Sequence, residues 1–268
     1  MKIGIAIDGS PLSIAAMDMV MLMAHDAGCS VDVVHVHDDL MLKMAESPLV
    51  RFVSPFAARK MPRDEIERAM RLQLKIVKDT FDFIIRSART SGVNARLVIK
   101  KGMADEQLVQ ASGSYDLFVM PWAGWQVRKF YYAGPQAASK PRFSMLAPGR
   151  KVPLAGKTAV LLENAGAPVL MAKNSLAGQD WAVFYDGSAG SDRALKWALK
   201  NLPGFMGGQG TALLPKGKSA LKAKLPEGME ARLVKDLSEA KAALVVCSRA
   251  AAKKITKWET VHGSVLVV

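Results

Sequence analysis

"IAIDGSPLSIAAMDMV" at residues 5–20 returns in altered form as "VFYDGSAGSDRALKWA" at 183–198. In both stretches an apolar run ends in Asp-Gly-Ser, a second serine follows three residues later, and an apolar-rich helical segment begins. Three further echoes keep the same order: "ARLVIK" at 95–100 with "ARLVK" at 231–235, "DLFVM" at 116–120 with "ALVVC" at 243–247, and "PVLMA" at 168–172 with "SVLVV" at 264–268. Four correspondences in one order define a tandem duplication. Its junction falls near Asn174 to Gln179, giving a first domain over 1–175 and a second over 178–268.

Each copy alternates strands with helices. In the first, the patterning predicts strands at 2–8, 31–37, 95–100, 115–121 and 167–172, and helices at 12–27, 63–91, 103–113 and 156–165. Ile66, Met70, Leu74, Val77, Phe81, Ile84 and Ile85 recur at helical spacing, so the long second helix packs one stripe. Strands alternating with helices imply a parallel sheet with right-handed crossovers. The fold expected is therefore α/β, with two tandem doubly wound five-stranded parallel sheets. The second copy is reduced: Asp8 to Ala95 is nearly twice as long as Asp186 to Ala231, so its long helix is cut down.

The chain has 268 residues, half of them apolar, enough to bury a substantial core. Its net charge of +13 favours anionic partners, such as nucleotides, nucleic acid or acidic membrane surfaces, and equally fits a solvated basic face. Only Cys29 and Cys247 are present, one in each half, so a reducing compartment fits better than a disulfide framework. Asp8 interrupts the apolar N-terminus, and Ile14 to Ala24 contains Asp18 and falls short of the ~20 residues that cross a bilayer. A cytoplasmic protein without a membrane span is the expectation.

The strand, "DGS", helix, "GMADEQLVQASGSYDLFVM" at 102–120 and "NAGAPVLMAK" at 164–173 together resemble the universal stress protein family, the resemblance running over nearly the whole chain as two repeats. It implies a Rossmann-like sheet of five parallel strands in each repeat and association through the last strand. In a tandem chain, 168–172 could meet 264–268 internally, as a pseudo-dimer, or the protein could form a homodimer. Many members bind ATP. The resemblance places such a site at the carboxyl ends of the first two strands, at Asp8, Gly9, Ser10 and Val36. Asp8, Ser10 and Ser13 also stand where a helix begins, and such residues commonly cap exposed amides.

The phosphate loop implied by the resemblance reads Gly, two residues, Gly, nine residues, Gly, then Ser or Thr. Glycines let backbone amides approach the phosphates, and the closing hydroxyl sits at a helix start. Aligned on "DLFVM", these positions are Pro121, Gly124, Gly134 and Pro135. Both prolines lack an amide hydrogen, and Pro135 lacks the hydroxyl as well. Placing the surplus residues inside the loop instead matches its end to "AGKT" at 155–158, with Gly156, Lys157 and Thr158 as the closing elements. A nucleoside-triphosphatase loop is rejected, because Lys151 stands where it needs a glycine and "GRKVPLAG" is broken by proline.

The insertion, about 125–155, carries Arg128, Lys129, Lys140, Arg142, Arg150 and Lys151 among Phe130, Tyr131, Tyr132 and Phe143, with no acidic residue. Such a mixture suits phosphate contact with base stacking, or a lid that covers the site or docks on a partner. No nucleic-acid-binding motif accompanies it, and the lid is the favoured reading. In the second copy, Cys247 and Ala250 replace the two early glycines, which leaves no nucleotide loop.

His35 and His37 precede Asp38 and Asp39 at a spacing that could hold a metal, but without a further clustered ligand a strand-end role is preferred. Met17, Met19, Met21 and Met23 read as adaptable core packing. No Ser-His-Asp or Cys-His arrangement can be assembled. The sequence therefore predicts a non-catalytic regulator or scaffold with a degraded ATP site that acts through protein partners. The alternative is an ATP- or AMP-binding stress-response regulator using the first domain alone.

Overall fold

The computed structural model describes residues 1–8, 11–38, 63–121, 156–173, 179–206, 210–235, 237–255, 261 and 263–268. The expected junction segment around 174–178 and the insertion at about 125–155 lie outside them.

The first repeat runs β1 (Lys2–Ile7), α1 (Pro11–Ala27), β2 (Ser30–Asp38), α2 (Arg63–Thr90), β3 (Ala95–Gly102), α3 (Ala104–Ser112), β4 (Leu117–Pro121), α4 (Gly156–Asn164) and β5 (Val169–Ala172). The second runs β6 (Trp181–Phe184), α5 (Ala189–Asn201), α6 (Pro203–Met206), β7 (Gly210–Pro215), β8 (Glu230–Val234), β9 (Leu244–Cys247), α7 (Arg249–Ala252) and β10 (Ser264–Val267). Where the first repeat has α2 and α3, the described residues of the second have only 3-10 turns, at Ser219–Lys224 and Leu237–Glu239.

The ten strands among the described residues form one sheet in the order β3-β2-β1-β4-β5-β10-β9-β6-β7-β8. Every pairing within a repeat is parallel. The two last strands meet antiparallel, Val169 with Val267, Leu170 with Leu266 and Met171 with Val265, so the two expected sheets are continuous across the joint. The strands at the centre, β4, β5, β9 and β10, are buried along their whole length, as expected of strands covered on both faces.

Helices on one face, α1, α2, α5 and α6, close a core that includes Met17, Phe81, Leu170, Leu202, Met206 and Leu266. On the other face α4 and α7 cover Phe118, Leu161, Met171, Val245 and Val265. Each core draws residues from both repeats. On α2, Val77, Phe81 and Ile85 are buried and Leu74 and Ile84 half-buried, while Phe83 stays 75% exposed on the opposite side. The side chains of Ile66 and Met70, the other members of the predicted stripe, lie outside the described set.

Arg249 ties the repeats together. Its guanidinium donates to the carbonyl oxygens of Ala165, Glu163 (3.3 Å) and Ala167 (3.4 Å), just where α4 ends with unsatisfied carbonyls. Lys253 adds an ion pair to Glu163 at 3.1 Å, and Ser264 Oγ accepts from the Lys173 amide at 2.9 Å.

The strand expected at 115–121 begins at Leu117, because Tyr115 is drawn out of the ladder toward Asp32 on β2. Asp32 is 3% exposed and accepts from Arg96 Nε (2.6 Å) and Nη2 (2.9 Å), pairs with Lys2 Nζ (3.0 Å), and accepts from Tyr115 Oη at 3.2 Å. Gly4 makes the room: a Cβ there would lie 2.5 Å from the Tyr115 ring. Lys2 Nζ also sits 4.9 Å from that ring's centre. Burial alone would raise the Asp32 carboxyl, but hydrogen bonds and charge from Arg96 and Lys2 outweigh it and hold the group below the usual carboxylate range. Burial and the neighbouring carboxylate push Tyr115 up to about 12.

Candidate functional site

The strand order of the first repeat reverses between β1 and β4, so the crevice at their carboxyl ends is where a parallel sheet of this kind can take a ligand. Asp8 follows β1 directly and is half-buried; Val36, also half-buried, lies near the end of β2. Pro121 is the last residue of β4, buried beside Ala172 of β5. Gly156, Lys157 and Thr158 form the first turn of α4, which begins on the same side of the sheet; their side chains are outside the described set. The topology thus brings Asp8, Val36, Pro121 and the start of α4 to one end of the sheet. Gly9, Ser10, Gly124 and Gly134 lie outside the described residues.

His35 belongs to this end as well. It is 7% exposed, with Nδ1 3.1 Å from the Ile7 carbonyl oxygen. Burial is the main cause that lowers its imidazole below the ordinary histidine value, so the ring is neutral at pH 7 and serves the strand end. Among the described residues no three His, Cys, Asp or Glu side chains converge as a metal site.

The second repeat shows what the Asp-Gly-Ser segment does locally. Asp186 Oδ1 accepts from the Ser188 amide at 3.0 Å, and Ser188 Oγ accepts from the Ser191 amide at 3.2 Å, capping α5. Burial alone would raise the Asp186 carboxyl; hydrogen bonds from Ser188 and Ser191 and the Lys218 charge leave it lowered. Ser191 is fully buried, as is Ser13 at the matching place in the first repeat. Gly187 has φ +81, a conformation that favours glycine.

The corresponding crevice of the second repeat is covered by its own chain. A Cβ at Gly187 would fall 2.8 Å from Leu221, which the 3-10 turn after β7 carries, and Lys218 Nζ donates to the Asp186 carbonyl at 2.8 Å. Cys247, at the end of β9, is fully buried, which pushes its thiol up to about 12 and keeps it protonated at neutral pH. The signal for the covering turn was in the sequence, as Leu221 and Leu225 within "KSALKAKLPEG", but nothing there says where the turn packs.

The chain, a doubly wound sheet in the order 3-2-1-4-5, repeated and joined through its fifth strands, has the fold of the universal stress proteins. The structure is similar over 99% of its length to a universal stress protein from Archaeoglobus fulgidus DSM 4304, of which it covers 95%, at 15% identity and a TM-score of 0.62. It is similar over its full length to a functionally unknown protein from Pseudomonas aeruginosa PAO1, covering 92% of that chain at 10% identity and a TM-score of 0.61. A candidate universal stress protein from Pseudomonas aeruginosa UCBPP-PA14 also matches over the full length, with 92% of that chain covered, 12% identity and a TM-score of 0.56. No protein-family model matches the sequence, and no curated protein matches it. No helix among the described residues is long and apolar enough to cross a membrane.

Proposed function

We propose that the chain is a universal stress protein-like regulator or scaffold of the cytoplasm that works by binding protein partners and catalyses no reaction. One observation carries the reading: the residue that closes β4 at the strand-order reversal is Pro121, which has no amide hydrogen to offer a phosphate. Pro135, at the sequence position where a closing hydroxyl belongs, removes a second donor. The covered crevice of the second repeat supports the same view, since that copy keeps the fold with Leu221 against its Asp-Gly-Ser turn. In this reading the second repeat is a built-in partner, a pseudo-dimer within one chain, and the basic insertion at about 125–155 is the surface that meets other proteins.

Asp8 at the end of β1 and Gly156 at the start of α4 favour the alternative, in which ATP or AMP sits in the first repeat. There Asp8, Gly9, Ser10 and Val36 would hold the nucleoside, and Gly124, Gly134, Gly156, Lys157 and Thr158 the phosphates. A bound nucleotide would supply a signal of occupancy. Calorimetric titration of ATP and of AMP into the purified protein separates the two readings. No binding heat is expected for either nucleotide up to millimolar concentration. A saturable heat at one site per chain, lost in Asp8→Ala, would establish the alternative.

A further inference from the structure

The sheet ends on two edges that are built differently. β3 is flanked by α2 and α3, and most of its residues are half-buried. Among the described residues only 3-10 turns stand before and after β8, and Glu230, Arg232 and Leu233 are exposed, Leu233 by 43%. Neither Glu230 nor Arg232 joins an ion pair among the described residues. β8 is the last strand of the sheet, so one side of its backbone has no neighbouring strand among the described residues.

The pairing of β8 with β7 shows which groups face outward. The Val234 carbonyl accepts from the Lys216 amide at 3.0 Å, so Val234 and, at the strand period of two, Arg232 and Glu230 turn their backbone polar groups toward β7. Ala231 and Leu233 turn theirs outward. Side chains sort with the same period: Val234 lies in one core, whereas Met229 and Ala231 pack against the other. Glu230 and Arg232 therefore share one face of the strand, and Met229, Ala231 and Leu233 share the opposite face.

We propose that β8 is a self-association edge, on which a second copy of this chain pairs antiparallel about a two-fold axis at Ala231. In that register Ala231 faces Ala231 of the second copy as a hydrogen-bonded pair, and Leu233 faces Met229 across the joint. Glu230 falls opposite Arg232, twice, in the non-hydrogen-bonded positions where side chains approach most closely. The charge order selects this register. A two-fold at Glu230 or at Arg232 opposes like charges, and one at Leu233 sets Arg232 against Val234, so that no opposite charges within the strand meet. Edge charges of one sign would keep copies apart. The opposite signs two residues apart are self-complementary on antiparallel reversal, which is why the occupant is another copy rather than an unrelated strand. The pairing lies at the far end of the sheet from the β5–β10 joint and is independent of whether the first repeat holds a nucleotide.

Sedimentation over a concentration series at physiological ionic strength tests this. The full chain should show a monomer–dimer equilibrium. Arg232→Glu and Glu230→Arg, each turning two attractive cross-strand pairs into repulsive ones, should raise the dimer dissociation constant about tenfold or more. The double reversal Glu230→Arg with Arg232→Glu should restore dimerisation, which also shows that the fold accepts both new side chains, and circular dichroism of each single variant should match the parent. A chain that stays monomeric throughout, or a dimer indifferent to both single reversals, would overturn the proposal.

Discussion

Shortening Leu170 or Leu266 to alanine is expected to remove about 2–5 kcal/mol of unfolding free energy in each case. The two leucines face each other across the antiparallel joint of β5 and β10, 2% and 1% exposed, and belong to one continuous core. Each truncation deletes buried methyl groups at a place where the surrounding strands are paired on both sides and can collapse little into the space. Because the leucines touch the same joint, the double variant should depart from the sum of the singles, as neighbouring core sites do. Urea unfolding followed by fluorescence and by circular dichroism should give one coincident transition for the parent protein, since the cores on both faces draw on both repeats. Two separated transitions, with Leu266→Ala moving only one of them, would mean that the repeats fold as independent units.

The second large effect is expected at Asp32. Removing Arg96 and Lys2 together, as Lys2→Met with Arg96→Met, leaves a buried carboxylate with Tyr115 as its remaining donor among the partners described above. An uncompensated buried charge costs about 3–5 kcal/mol. Arg96→Met alone should cost less, because Lys2 and Tyr115 stay in place and the Arg96 side chain is itself 62% exposed. The sign with pH follows from the lowered Asp32 carboxyl. Its contribution is fully present above the unfolded aspartate value of about 3.9 and disappears as pH falls through the depressed folded value. In the double variant the carboxyl titrates higher than in the unfolded chain, so acid should stabilise it relative to the parent. Denaturation midpoints from pH 7 to pH 3 for parent and double variant check this, the difference between them narrowing toward the acid end.

Particular residues show why some of this was legible in the sequence and some was not. The helical stripe of Val77, Phe81 and Ile85, the alternation of strands with helices and the shortening of the second copy all follow from local periodicity, and each has its counterpart in α2, in the parallel pairings and in the two 3-10 turns. Asp32 was different. An acid in the middle of "SVDVVHVHD" signals a buried partner, but Arg96 becomes that partner only through the β2–β3 register, and Tyr115 reaches it only because Gly4 has no side chain. The strand start at Leu117 instead of residue 115 has the same origin, since apolarity alone cannot tell that Tyr115 is directed elsewhere. Arg249 reads as one more surface cation until the joint places it under the end of α4. The self-complementary order of Glu230 and Arg232 is visible in the sequence, yet it acquires meaning only once β8 is known to be an edge.

If Pro121, at the end of β4, denies a phosphate its amide donor, as proposed, the protein should leave cells empty-handed. The direct measurement is to purify the full chain without added nucleotide, denature it, and quantify released adenine nucleotides by ion-exchange chromatography. The account predicts far less than one nucleotide per chain. Close to one ATP or AMP per chain, lost in Asp8→Ala, would contradict it.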